Sequence, residues 1–286
     1  MRWRKARRSD NLVDARAGRG LGGRGLGLGG IVLLVVIGLL SGQDPLQILG
    51  QIGGELLREQ VSAPPPAPGG QSDEQVEFVR AILGDTEDTW QQQFAQAGGR
   101  YREPTLVLFS GSVRSACGFA SSAVGPFYCP GDQRVYIDLG FFREMQQRFA
   151  AAGDFAQAYV IAHEVGHHVQ TLLGVSARVQ AARRAGQRLE GDGGLLVRQE
   201  LQADCLAGVW AHHAQQRHAW LEPGDLEEAL NAAAAIGDDR LQQQGQGQVV
   251  PDAFTHGTSA QRVRWFRTGF EQGRLEGCDT FRAARL

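Results

Sequence analysis

Three histidines and a glutamate fall within AYVIAHEVGHHVQTLLG, residues 158–174. Among them His163, Glu164 and His167 stand in the order H-E-x-x-H. On an α-helix, residues four apart lie one turn above each other, so both imidazoles can reach one metal ion while Glu164 leans over its open side. Zn2+ accepts such nitrogen ligands and lowers the pKa of a bound water to about 7, where a neighbouring carboxylate can remove its proton. Apolar flanks, FAQAYVIA before and VQTLL after, place the motif inside a buried helix. Histidine and glutamate buried there without a cation would be costly. His168 points roughly 100° round the helix from His167 and is read as non-ligating.

A catalytic zinc site draws three ligands from the protein. The metzincin continuation is excluded, because Gln170 and Leu173 occupy the positions where it requires Gly and His. The gluzincin arrangement takes a glutamate from a second helix, with an aspartate four residues later that fixes a ligand imidazole. RQELQADCLAGVW supplies both, so Glu200 is the predicted third ligand and Asp204 its supporting carboxylate. Rivals are Glu190, in the glycine-rich LEGDGG, and His212, His213 and His218, which sit near a helix end and suit its C-terminal carbonyls. For the oxyanion that develops during acyl transfer, His256 in DAFTHGTSAQRVRWF is the candidate contact, with Arg262 behind it.

The elements that must position these groups follow from periodicity. Helical spacing of apolar residues covers EQVEFVRAIL, DTEDTWQQQFAQAG, and residues 141–150, 155–173, 177–188, 195–217, 225–235 and 259–272. Strands are predicted at 104–109 and 134–139. Few strands followed by many helices give an α+β class, mainly helical with a small sheet.

Net charge is −2, from 29 Lys+Arg against 31 Asp+Glu, which points to no nucleic-acid partner. Its distribution is uneven. Eight basic residues lie in the first 24, opposed by Asp10 and Asp14, and an uncharged run follows whose apolar centre is Ile31 to Leu40. That run just meets the roughly 17–20 residues needed to cross a bilayer. A cleaved signal peptide fits less well, since leucines around residues 39–42 spoil the small-residue pattern. The expected organisation is therefore a basic cytoplasmic tail (1–25), a transmembrane anchor in the lipid bilayer (26–43), a juxtamembrane segment and Pro-rich linker (44–73), and a catalytic domain (74–286). Basic residues stay on the cytoplasmic side, so the catalytic domain is expected outside the cytoplasm of a single-pass membrane protein.

Four cysteines without a C-x-x-C pair fit that compartment as two disulfides. Three connectivities are possible; the favoured one joins Cys117 to Cys129 and Cys205 to Cys278.

Over nearly its whole length the chain resembles the bacterial neutral zinc metallopeptidase family, membrane-anchored proteins of the gluzincin type. The likeness lies in MRWRKARRSDNLVD, GGIVLLVVIGLLSGQDP, CGFASSAVGPFYCPGDQRVYIDL, AYVIAHEVGHHVQTLLG, RQELQADCLAGVW and THGTSAQRVRWFRTG. It implies a zincin-like domain in which His163, His167 and Glu200 bind Zn2+ and Glu164 is the base. In the wider zincin fold an extended substrate pairs with a sheet edge; RVYID is the candidate for that edge, an ordinary internal strand being the alternative reading. The activity implied is hydrolysis of peptide bonds in proteins or peptides outside the cytoplasm. Two other readings stay open: a zinc-stabilised, membrane-tethered binding protein, and a zinc hydrolase of another envelope amide.

Overall fold

The computed structural model describes residues 1–16, 69–149 and 153–286. The expected membrane span and nearly all of the linker lie outside these residues; among the described residues no helix is long and apolar enough to cross a membrane.

Two apolar runs become the central strands of a four-stranded mixed sheet. β2 (Thr105–Phe109) and β6 (Arg134–Asp138) pair in parallel, Leu106 against Val135 and Leu108 against Ile137. β1 (Leu12–Asp14) adds in parallel outside β2, and β5 (Phe127–Cys129) adds antiparallel outside β6, giving the order β1-β2-β6-β5. RVYID is thus an interior strand, and the edge expected there is supplied by β5. The physical reason is burial on both faces: Val135, Tyr136 and Ile137 are all buried, as befits a covered strand. β5 is only three residues long and sits between Pro126 and Pro130, so its sequence reads as a turn. A separate hairpin, β3 (Ser112–Ser115) with β4 (Gly118–Ser121), precedes it. The disulfide Cys117–Cys129 ties the turn of that hairpin to the end of β5.

The helices are α1 (Gly69–Gln96), α2 (Gly140–Phe149), α3 (Asp154–Leu172), α4 (Val175–Arg184), α5 (Leu195–His218), α6 (Asp225–Ala235), α7 (Asp238–Gln246) and α8 (Ser259–Gln272). The architecture is mainly helical with a small mixed sheet, α+β. Where two helices were expected before residue 99, α1 runs through unbroken. At the expected break, Thr86 and Thr89 bond back to the carbonyls of Leu83 and Asp85. The Asp85 carboxylate accepts from Trp210, Arg217 and His218 of α5. α7 has no counterpart among the expected helices, its sequence being mostly Gln and Asp.

Residues Met1–Arg16 belong to the same compact unit as Glu74–Leu286 and not to a separate tail. Trp3 is buried edge-on against Phe78, and β1 extends the sheet.

α3 is buried on nearly every side and packs against α5, which packs against α8. Glycines set these crossings. A Cβ on Gly208 of α5 would stand 2.1 Å from the Phe266 carbonyl oxygen, and one on Gly269 of α8 would stand 1.9 Å from that of Cys205. Only hydrogen at both positions allows the two backbones to touch. α8 starts at a capping box, Thr258 Oγ1 accepting from Gln261 N while the Gln261 side chain accepts from Thr258 N. The second disulfide, Cys205–Cys278, fastens the C-terminal segment to α5.

Candidate metal centre

α3 carries His163 and His167 on one face, and α5 brings Glu200 to the same point. Glu200 Oε2 lies 3.2 Å from His163 Nε2 and 3.4 Å from His167 Nε2. One ligand atom from each residue lies within 4.8 Å of the others. For a tetrahedral zinc with bonds of about 2.1 Å, neighbouring ligand atoms should be about 3.4 Å apart. Two imidazole nitrogens and a carboxylate oxygen at this spacing therefore fit Zn2+ in both chemistry and dimension. The rival ligands are elsewhere: His212 and His213 bond to the carbonyls of Phe270 and Gly273, His218 to Asp85, and Glu190 Oε2 accepts from the N–H of its neighbour Leu189.

Each ligand imidazole is oriented from behind. His163 Nδ1–H donates to Asp204 Oδ1 at 2.8 Å, leaving Nε2 free for metal. Asp204 is fully buried and sits at the centre of a network. Arg262 grips it with two hydrogen bonds, Nε to Oδ2 at 2.8 Å and Nη2 to Oδ1 at 2.9 Å, and Tyr159 donates to Oδ1 at 2.6 Å. Arg262 is therefore committed to Asp204 and is not free to act on an oxyanion as the sequence reading allowed. On the other side, His167 Nδ1–H donates to Gln170 Oε1 at 2.9 Å, and the Gln170 amide donates to the Gln199 carbonyl at 2.6 Å. Gln170 entered the sequence reading only as evidence against a metzincin. Its spacing of three from His167 on a helix was the signal for this second role.

Protonation follows from these neighbours. Burial lowers the His163 pKa, but the charge and hydrogen bond of Asp204 outweigh it, and in the protein without metal the value is raised to about 10. His167 is raised as well, burial being overcome by the Glu200 charge. Asp204 is held down at about 2 despite burial, chiefly by Arg262 and then His163. Glu200 is held well below its ordinary value by the two histidines, again against burial. Burial raises Glu164, which the histidine charges only partly offset.

His168 turns away from this cluster. Its Nε2–H donates to the Arg102 carbonyl at 2.6 Å and its Nδ1 accepts from Tyr128 at 3.1 Å, while burial lowers its pKa.

The site opens into a cleft of about 510 Å³ that His163, Glu164, His167, Glu200 and His256 line together. His256 is half exposed in the loop before α8. Asp238, at the start of α7, holds that loop by accepting backbone N–H bonds from Thr255, His256 and Gly257. Opposite, β5 and the Val124–Pro126 turn form the other wall, with Phe141 beside them.

No solved structure matches the chain. The protein YpfJ of Escherichia coli (strain K12) is 51% identical over 288 residues, covering 98% of this chain and 99% of its own. Rv2575 of Mycobacterium tuberculosis (strain ATCC 25618 / H37Rv) is 50% identical over 196 residues, 65% of each chain. The model of the family described as "Putative neutral zinc metallopeptidase" matches residues 1–281. With the ligand triad, the glutamate beside it and a match from end to end, the chain belongs to the neutral zinc metallopeptidase family.

Proposed function

We propose that the protein is a zinc-dependent, gluzincin-type peptidase that hydrolyses peptide bonds of proteins or peptides outside the cytoplasm, attached to the membrane through residues 26–43. The observation that carries this reading is the convergence of His163, His167 and Glu200 on one point of an open cleft, with Glu164 alongside.

His163, His167 and Glu200 would hold the ion. Bound there, Zn2+ supplies Lewis acidity, polarising the scissile carbonyl and bringing the pKa of water to about 7. Glu164 takes the proton from the attacking water and delivers it to the leaving amine. Burial, which raises its pKa, suits a group that must first accept and then release a proton. Asp204 and Gln170 accept from both Nδ1–H groups, which would leave both Nε2 atoms to hold the ion. His256, which lines the same cleft, is the residue to which this reading gives the hydrogen bond to the oxygen on which charge develops. The substrate backbone pairs with the free edge of β5, an interaction that tolerates varied side chains. Two disulfides in the catalytic unit support an oxidising compartment.

Glu164→Gln tests the reading. It should retain zinc at wild-type stoichiometry and lose hydrolysis of a cleavable protein by about a hundredfold or more. Undiminished hydrolysis by zinc-loaded Glu164→Gln would refute the mechanism.

A further inference from the structure

The basic start of the chain is built into the catalytic unit at the level of backbone. Ala15 N donates to the Leu108 carbonyl at 2.8 Å and Leu106 N to the Asn11 carbonyl at 2.9 Å, completing the β1–β2 ladder. Further back, Ser9 N donates to the Arg80 carbonyl at 3.0 Å and Arg80 returns a bond to the Ser9 carbonyl at 2.7 Å. A Cβ on Gly84 would stand 2.9 Å from the Arg7 carbonyl oxygen, so α1 has a glycine where the segment before β1 crosses it.

The side chains are equally committed. Glu87 is buried, and its carboxylate is shared among Ser9 at 2.5 Å, Asn11 at 2.8 Å and Arg7 at 2.8 Å. Trp3 Nε1 donates to Asp154, the first residue of the helix that bears the zinc ligands, at 3.2 Å. Three of the arginines that suggested a cytoplasmic flank have partners on α1: Arg4 with Glu74, Arg7 with Glu87 and Asp88, Arg8 with Glu77. Their charge is neutralised by α1 and is not held in reserve for a membrane face.

We infer that residues 1–16 reside in the same compartment as the catalytic unit, outside the cytoplasm. The two disulfides set the compartment of that unit, and a segment hydrogen-bonded into its sheet cannot lie across a bilayer from it. A connection that leaves and re-enters one folded unit ends on the side where it began. The first residues and the catalytic domain therefore lie on one side of any membrane that holds the protein.

The sequence provides its own probe, because Lys5 is its sole lysine and is exposed. Cells expressing the full chain, with any outer membrane opened, are treated with a membrane-impermeant amine-reactive ester. Modification at Lys5 is then read by mass spectrometry, with Lys5→Arg as the blank. Externally added protease reports in parallel on the side of the catalytic unit. Lys5 should be modified as fully as in lysed cells while the catalytic unit is also open to external protease. A Lys5 protected until lysis, in cells whose catalytic unit is digested from outside, would overturn the shared compartment. Protection of both would overturn the extracytoplasmic placement. Neither result depends on catalysis, so the peptidase reading stands or falls separately.

Discussion

Gly166, between Glu164 and His167, lies directly against the backbone of Ala203: a Cβ at this glycine would come within 3.0 Å of the Ala203 carbonyl oxygen and 3.2 Å of its Cα. α3 and α5 thus meet one turn from Glu200, which lets a glutamate side chain of ordinary length reach the nitrogens of His163 and His167. Gly166→Ala should push the helices apart by a few tenths of an ångström and weaken zinc binding by about tenfold, with Gly166→Val worse. Chelator competition measures this directly, and wild-type affinity in Gly166→Val would show that the crossing does not set the site.

The Asp204–Arg262 pair makes a second prediction. Arg262→Met leaves a buried carboxylate without its cation and should cost about 3–5 kcal/mol of stability. Asp204→Asn keeps the shape but weakens the hold on His163 Nδ1, so zinc affinity should fall about 10–100-fold. Denaturant unfolding and metal titration separate the two effects. An Arg262→Met protein as stable as wild type would remove Arg262 from its supporting place.

Protons compete with zinc at this centre. His163 is raised to about 10, so at neutral pH it carries a proton that a metal must displace, and His167 is shifted in the same direction. Zinc binding at pH 7 should release about one to two protons, measurable by calorimetry in buffers of different ionisation enthalpy. For the metal-free protein the sign is that of a raised pKa. The contribution of His163 to stability is complete below its ordinary value of 6.5 and fades as pH rises through about 10. Metal-free protein should accordingly melt lower at pH 10 than at pH 6. A melting temperature that rises over this interval would contradict the assignment.

The bond between Cys205 and Cys278 closes a loop of 73 residues next to Asp204. Loop-closure entropy for that length corresponds to about 4 kcal/mol. Cys278→Ser should lower stability by that order and loosen α5, so that zinc is lost at lower denaturant concentration than in wild type. Unchanged unfolding midpoints would show that packing of α5 against α8 suffices.

How much of this was legible beforehand depends on range. The H-E-x-x-H spacing and every helix after residue 153 except α7 rest on local periodicity, Glu200 with Asp204 on the gluzincin arrangement, and the structure brings His163, His167 and Glu200 together. The favoured cysteine pairing is the one the structure holds. Other features were hidden because their cause is tertiary. RVYID alternates like an edge strand yet is covered on both faces. FYC, bracketed by prolines, reads as a turn yet forms the edge. Arg262 resembled a free cation near a site, and only the α5–α8 crossing at Gly208 and Gly269 explains why it is spent on Asp204. The basic start read as a tail because its partners, on α1 and β2, stand far along the chain.

That separation orders events in time. β1 is made early, whereas Leu106, the register partner of Leu12, follows roughly ninety residues later, so the loop to be closed is long and its pairing intrinsically slow. During that delay Leu12 lacks the strand that pairs with it, and the Asn11 carbonyl lacks the Leu106 N–H. The sheet is finished by its first-born strand, and until that strand docks, the first turn of the helix that bears His163 and His167 lacks the tryptophan that anchors it.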